Sequence, residues 1–391
     1  MPIRPRPWLM LAAAVLAQAA TTVVAATPAF LIPLLHQERG LSLAEAGLVA
    51  AAPNLGLVLT LVAWGAATDR WGERRIMLAG LAATSIAVAV SMLASGFVWL
   101  GLALVLSGGL SACTNAASGR LIAGWFPPQR RGLAMGIRQT CQPIGIAVAS
   151  LVVPALAGGG SVAPALAFGG ALCLLALIAC ALLVVDPARP PRADVAASAN
   201  PYRGSGVLQR IHAVSVLLVV PQFTLSTFGL IWFIAAFDWP APLSGLVVAA
   251  AQLLGAVGRI AIGVVSDRLG SRLGPLRWVA VAAIVAMLAT AGFGAAGWAG
   301  PAAVLYVVAS CISVADNGLA FTAVAEIAGP YWAGRALGVQ NTGQFLTAAI
   351  VPPAVGALIG LVGYPWAFAA VALAPAAAAP LVPRDRRALV G

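Results

Sequence analysis

The sequence predicts an all-α membrane protein of twelve transmembrane helices, arranged as two pseudo-symmetric six-helix bundles. Composition, the spacing of apolar runs and an internal repeat carry that prediction. Hydrophobic residues make up 61% of the 391 positions and charged residues only 8%, against about a quarter in a soluble domain. So few charges cannot coat a water-facing surface, so most of the exterior must meet lipid. A membrane helix needs about 20 apolar residues, and this length with short loops holds about a dozen.

The apolar runs fall at 8–35, 43–67, 76–95, 98–125, 132–156, 163–185, 211–236, 244–266, 278–296, 301–328, 336–361 and 366–382. In lipid a chain must satisfy its backbone internally, which makes these runs helices. A membrane β-barrel needs alternating segments of about ten residues, and none occur. Residues 1–7 are basic and proline-rich before an apolar stretch, like a signal peptide. The stretch runs on to Leu35, too far for a signal sequence, and reads as an uncleaved first span.

All 22 basic residues are arginine and the net charge is +11. They are spread through the breaks and form no single block, which argues against nucleic-acid binding. With the N-terminus inside, eighteen of the 22 arginines fall in inside segments, from Arg4 and Arg6 to Arg386 and Arg387, and only Arg39 lies outside. The positive-inside rule then places a multi-pass chain in the cell inner membrane with both termini cytoplasmic. The longest polar break, 186–210, includes Arg189 and Arg192 and reads as a cytoplasmic linker. It divides the chain into an N-terminal bundle, 1–185, and a C-terminal bundle, 211–391. The five cysteines sit in apolar runs without metal-ligand spacing. No metal and no cofactor are expected.

The halves repeat. Gly65, Asp69, Arg70, Gly72 and Arg74 recur 198 residues later as Gly263, Asp267, Arg268, Gly270 and Arg272. The run from Gly136 to Gln142 recurs 202 residues later from Gly338 to Gln344, and Asn115 matches Asn317 at the same offset. Parallel six-helix repeats are a transporter architecture, with the substrate at the repeat interface. The stretch GAATDRWGERR, Gly65 to Arg75, resembles the signature loop of the major facilitator superfamily, and Gly263 to Leu273 resembles its degenerate copy. The resemblance covers essentially the whole chain. It implies a secondary transporter that works by alternating access. It also implies that Asp69, Arg70 and Arg74, with Asp267 and Arg268, gate the pathway and do not touch substrate. The competing reading is that these charges only set topology.

Ionisable residues inside spans are costly and are functional candidates. Asp316 lies midway along the tenth span, where a charged carboxylate is expensive, which suits proton binding and release. The competing reading is a fixed hydrogen-bond network with Asn317 and Asn115. Arg259 precedes Asp267 by eight residues, about 12 Å at helical rise, too deep to snorkel comfortably. Its guanidinium matches a carboxylate, or it pairs with Asp316. In the first half its position is taken by Leu61, so a symmetric two-arginine site is not expected. Arg138 and Gln142, four apart, are expected to share a helix face that answers Gln340 and Gln344, as cavity lining or as glue between helices. Arg120 and Glu326 lie near inside ends and fit gating or structural pairing. Gln222 and Trp232 on the seventh span complete the candidate cavity.

Drug antiporters of the superfamily resemble this chain less closely. Gln142 precedes Pro143, their fourth-helix arginine falls on Leu104, and the first span has no acid. The leading expectation is proton-coupled transport of a small organic anion, with Arg259 and Arg138 on the substrate and Asp316 on the proton. The alternative is proton-driven efflux of amphipathic drugs or metabolites. No HExxH, GxSxG or paired intramembrane histidine supports an enzyme. Without a GxxxxGK[ST] loop or any lysine, ATP-driven transport by this chain alone is excluded. The expected partners are a small-molecule substrate, a proton or other ion, and the bilayer, with no nucleic acid. One chain forms a complete pathway, so a functional monomer is expected.

Overall fold

A computed structural model of the chain describes residues 6–41, 43–157, 160–188, 200–203 and 205–384. Arg4, Arg189, Arg192, Arg386 and Arg387, and residues 189–199 and 204 of the linker, lie outside the described residues. Among the described residues the secondary structure is helical, without strands. Eleven helical segments are long and apolar enough to cross a membrane. The last, Ala333–Leu381, has 49 residues, about 74 Å at helical rise and more than twice the hydrocarbon thickness. Gly363 breaks it, with φ 78° and ψ 167°, a backbone region open to glycine. The segment therefore holds two spans, and the total is twelve.

The surface is what lipid requires and water would punish. Leu93, Leu361, Leu151 and Leu373 are each at least 70% exposed. The interior is built from small residues: Ala14, Ala17, Ala117, Ala149, Ala165 and Ala176 are fully buried. Small side chains let helices approach closely where no water drives them together.

The described chain forms two compact units. The first comprises Met1–Phe126, Thr140–Ser198 and Ala328–Thr342. The second comprises Pro127–Gln139, Ala199–Ile327 and Gly343–Gly391. Each unit contains a pair of helices that meet at backbone contact through facing glycines at repeat-related positions. In the first, a Cβ on Gly65 would strike the Gly334 carbonyl, and one on Gly334 the Gly65 carbonyl. In the second, Gly132 and Gly263 stand in the same reciprocal contact. The first pair maps onto the second at offsets of 198 and 202. Gly263→Val is expected to force the eighth span (Leu243–Leu269) away from Pro128–Arg138, because the neighbour is backbone and cannot rotate aside. The check is loss of a cysteine crosslink between the two helices and a lower melting temperature.

Helix interruptions also repeat. Phe97–Ser111 gives way to Cys113–Trp125 at Ala112, and Ala299–Ser313 gives way to Asp316–Ala328 at Val314 and Ala315. At both joints the ladder tightens to three-residue bonds, from Asn115 N–H to Ala112 and from Ala315 N–H to Ile312. The second joint makes Asp316 the first residue of its helix.

Candidate functional site

The second unit buries a cluster of polar groups drawn from five spans. Asn317 Nδ2 donates to Gln222 Oε1 at 3.0 Å. Gln344 Nε2 donates to Asn317 Oδ1 and to Ser215 Oγ, each at 2.8 Å. The helix Pro128–Arg138 ends one residue before Gln139, and two guanidinium groups converge on that glutamine. Arg138 Nη1 donates to its side-chain oxygen at 2.7 Å. Arg259 Nη1 donates to its main-chain oxygen at 3.1 Å. Arg138 is fully buried, with its guanidinium 5.5 Å from the centre of the Phe321 ring, within the range of a cation–π contact.

Asp316 is also fully buried. Neither of its oxygens has a hydrogen bond of full geometry among the described residues; the Arg259 cation and the Asp316 and Asn317 amides act on it. Two sequence-based expectations are corrected here. The network joining Asp316 to Asn317 and Asn115 is not formed: Asn317 bonds to Gln222 and Gln344, and Asn115 accepts from Gln18 Nε2 at 2.9 Å. An ion pair at hydrogen-bond distance between Arg259 and Asp316 is not formed either.

The corresponding positions of the first unit are neutral. Gln18 bonds to Asn115 and to Ser118, and Thr21 bonds to Thr114. By the repeat offsets, Leu61 stands for Arg259, Gln340 for Arg138 and Thr114 for Asp316. Gln340 is 2% exposed.

Two further expectations need correction. Arg138 and Gln142 do not share a helix face. The helix stops at Arg138 and restarts at Cys141, leaving Arg138 buried and Gln142 exposed. Trp232 does not line a polar cavity. It is fully buried among Phe233, Phe237, Tyr306 and Phe368, at ring separations of 4.9 to 6.4 Å.

The signature loops carry buried ion networks. In the first unit the Asp69 carboxylate accepts the Gly334 and Arg335 amides at 2.8 and 3.0 Å, at the start of a helix where an anion is favoured. Arg120 lies 3.3 Å from Asp69 and 2.7 Å from Glu73, and also donates to the Pro330 carbonyl. In the second unit Asp267 accepts the Gly132 and Leu133 amides at 2.9 and 2.8 Å. There Arg272 binds Asp267 at 2.6 Å and Glu326 at 3.3 Å, and donates to the Pro128 carbonyl. Arg131 also reaches Glu326, at 3.4 Å. The wiring is swapped: a span arginine meets a loop glutamate in one unit, and a loop arginine meets a span glutamate in the other. Arg70 and Arg268 are exposed, with Arg70 stacked on Trp71. Arg74 ties to the Ala181 carbonyl at 2.8 Å.

Arg120→Ala leaves Asp69 and Glu73 buried without their cation. Breaking a buried pair in this way costs about 3–5 kcal/mol. The expected result is a markedly lower melting temperature in detergent, partly restored by adding Glu73→Gln.

The twelve spans and the lipid-compatible surface define a polytopic membrane protein. The sequence profile of the Major Facilitator Superfamily matches residues 10–352, and the chain belongs to that superfamily. It is 47% identical, over 91% of its length and 80% of the relative's, to an uncharacterised MFS-type transporter of Mycobacterium tuberculosis. Over 32% of its length and 30% of the relative's it is 26% identical to the hexuronate transporter of Bacillus subtilis. Among solved structures it resembles the transporter FucP in the outward conformation, with a TM-score of 0.77 and 14% identity over 97% of this chain and 100% of that one. The family and these relatives are transporters, not enzymes.

Sequence reasoning passed over Gln139, Ser215 and Arg272 as site residues, and offered Glu73 only as a loop charge with which Arg120 or Glu326 could pair. Arg272 carried a signal, since it repeats Arg74. Glu73 carried a weaker one, since its counterpart is Ser271. Gln139 carried one in Pro143, which has no N–H for the Gln139 carbonyl four residues back and so leaves that carbonyl open.

Proposed function

We propose that this transporter is a proton-coupled secondary carrier of a small organic anion bearing a carboxylate. The observation that supports this most is the convergence of Arg138 and Arg259 on Gln139, with Asp316 as the carboxylate in the same cluster. Two cations against one acid leave the cluster positive, and a carboxylate cargo balances it with bidentate geometry. In this reading Gln222, Asn317 and Gln344 bind polar groups of the cargo, with Asn115, Gln142 and Gln340 as further contacts. Asp316 carries the proton. Asp69, Arg70, Arg74, Arg120, Asp267, Arg268 and Glu326 gate. The six-helix halves 1–185 and 211–391, joined by 186–210, rock about the cargo in a monomer whose termini are cytoplasmic in the cell inner membrane.

A hexuronate is a carboxylate, and the limited likeness to a hexuronate transporter agrees with this reading. Efflux of amphipathic compounds has less support, because Trp232, one of the rings it would use, is packed among Phe233, Phe237, Tyr306 and Phe368.

The test uses purified protein in liposomes loaded with a pH-sensitive dye. Small carboxylates, hexuronates included, are added outside, and entry of protonated acid into empty liposomes is subtracted. Protein-dependent internal acidification is expected. Silence with every carboxylate, together with proton release on adding lipophilic cations, would overturn the anion reading.

A further inference from the structure

The second unit also holds a cavity of about 900 Å³, within the size range of small-molecule sites. It shares no residue with the cluster around Arg259. Four arginines line it, Arg131, Arg268, Arg272 and Arg384, against two acids, Asp267 and Glu326. Both acids are already engaged. Asp267 holds two backbone amides and Arg272, and Glu326 is bridged by Arg272 and Arg131. Arg268 and Arg384 are exposed, and among the described residues neither has a hydrogen-bond or ion-pair partner. The lining therefore carries surplus positive charge, located on two side chains free to take a ligand.

The backbone that carries both arginines is held in place. Arg268 sits in the last turn of its helix, capped by Gly270 in the left-handed conformation. The chain leading to Arg384 is pinned where Arg210 donates to the Leu381 carbonyl at 3.0 Å and Arg277 to the Val382 carbonyl at 2.8 Å. The wall beside them is apolar, with Leu269 51% and Ile327 40% exposed. Basic pockets beside membrane helices recognise anionic head groups, and guanidinium forks suit phosphate.

We propose that this cavity binds a phosphate-bearing anion, with Arg268 and Arg384 as its phosphate ligands. The phosphate belongs either to a lipid head group, with its chains along Leu269 and Ile327, or to a soluble phosphate. Full-length protein is extracted from vesicles of equal phosphatidylglycerol and phosphatidylcholine, and bound lipid is counted by native mass spectrometry. Separately, protein in phosphatidylcholine alone is titrated with inorganic phosphate by calorimetry.

Replacing both arginines by alanine is expected to weaken binding about 25-fold, at about five-fold for each. Arg268→Lys/Arg384→Lys should retain most of it. Loss of retained phosphatidylglycerol identifies the lipid source, and loss of the phosphate isotherm identifies the soluble one. If the alanine pair does not fold, Arg268→Gln/Arg384→Gln gives the same reading. Arg70→Ala/Arg75→Ala removes two exposed arginines of the first unit and should change neither readout. The proposal is overturned if both probes bind the alanine or glutamine pair as they bind the wild type, or if the Arg70/Arg75 control loses as much.

Discussion

Arg259→Ala is expected to abolish protein-dependent acidification by carboxylates while leaving the protein folded. Truncating one partner of a buried charge pair costs about 2–5 kcal/mol, which is about thirty-fold to several thousand-fold in cargo affinity. The protein should tolerate the loss better than that of Arg120, because Arg259 donates to a main-chain oxygen and acts on Asp316 through its field and not through an ion pair at hydrogen-bond distance. That separates it from Arg120, whose removal strands two acids. Arg259→Lys keeps the charge but loses the fork, so it should transport with a raised KM. Arg138→Ala should weaken transport and also lower the melting temperature, because Arg138 is packed against Phe321. The anion reading fails if Arg259→Ala acidifies the lumen at the wild-type rate.

Most of the fold was legible in the sequence because lipid leaves few choices. Apolar runs had to be helices, and arginine-bearing breaks had to be turns. The one place where segment counting misleads is Ala333–Leu381, where helix runs through the turn at Gly363. The sequence places a boundary there, between spans ending at 361 and starting at 366. The repeat also located both carboxylates, Asp69 and Asp267, that accept helix-start amides. What it did not reveal is set by local breaks. A helix that stops at Arg138, where Pro143 cannot donate to the Gln139 carbonyl, turns a predicted shared face into one buried arginine and one exposed glutamine. The same break frees the Gln139 carbonyl that Arg259 uses. Residue type alone also gave no sign that Trp232 has its ring partners within its own unit. Arg268 was chosen over Arg272 because it belongs to the adjacent Asp–Arg pair of the motif. Geometry favours the arginine five residues after the aspartate, across the Gly270 turn, over the one beside it.

Asp316→Asn is expected to separate carboxylate movement from proton movement. The empty cluster holds Arg138, Arg259 and an ionised Asp316, a net charge of one positive unit. If the cargo brings one carboxylate and Asp316 takes one proton, the loaded cluster has the same net charge. Cargo and Asp316 then compete for the field of Arg259, and protonation of Asp316 releases the arginine to the cargo. An amide has the shape of the protonated acid and cannot lose the proton. The variant should therefore bind carboxylate and exchange it across the membrane in counterflow. It should fail to acidify the lumen, and its uptake should no longer rise as the outside pH falls. In the wild type, carrying one anion with one proton moves no net charge, so an imposed membrane potential should leave the rate unchanged. Acidification that persists in Asp316→Asn would move the proton to another group. Loss of counterflow along with acidification would make Asp316 a structural partner of Arg259 and not the coupling site.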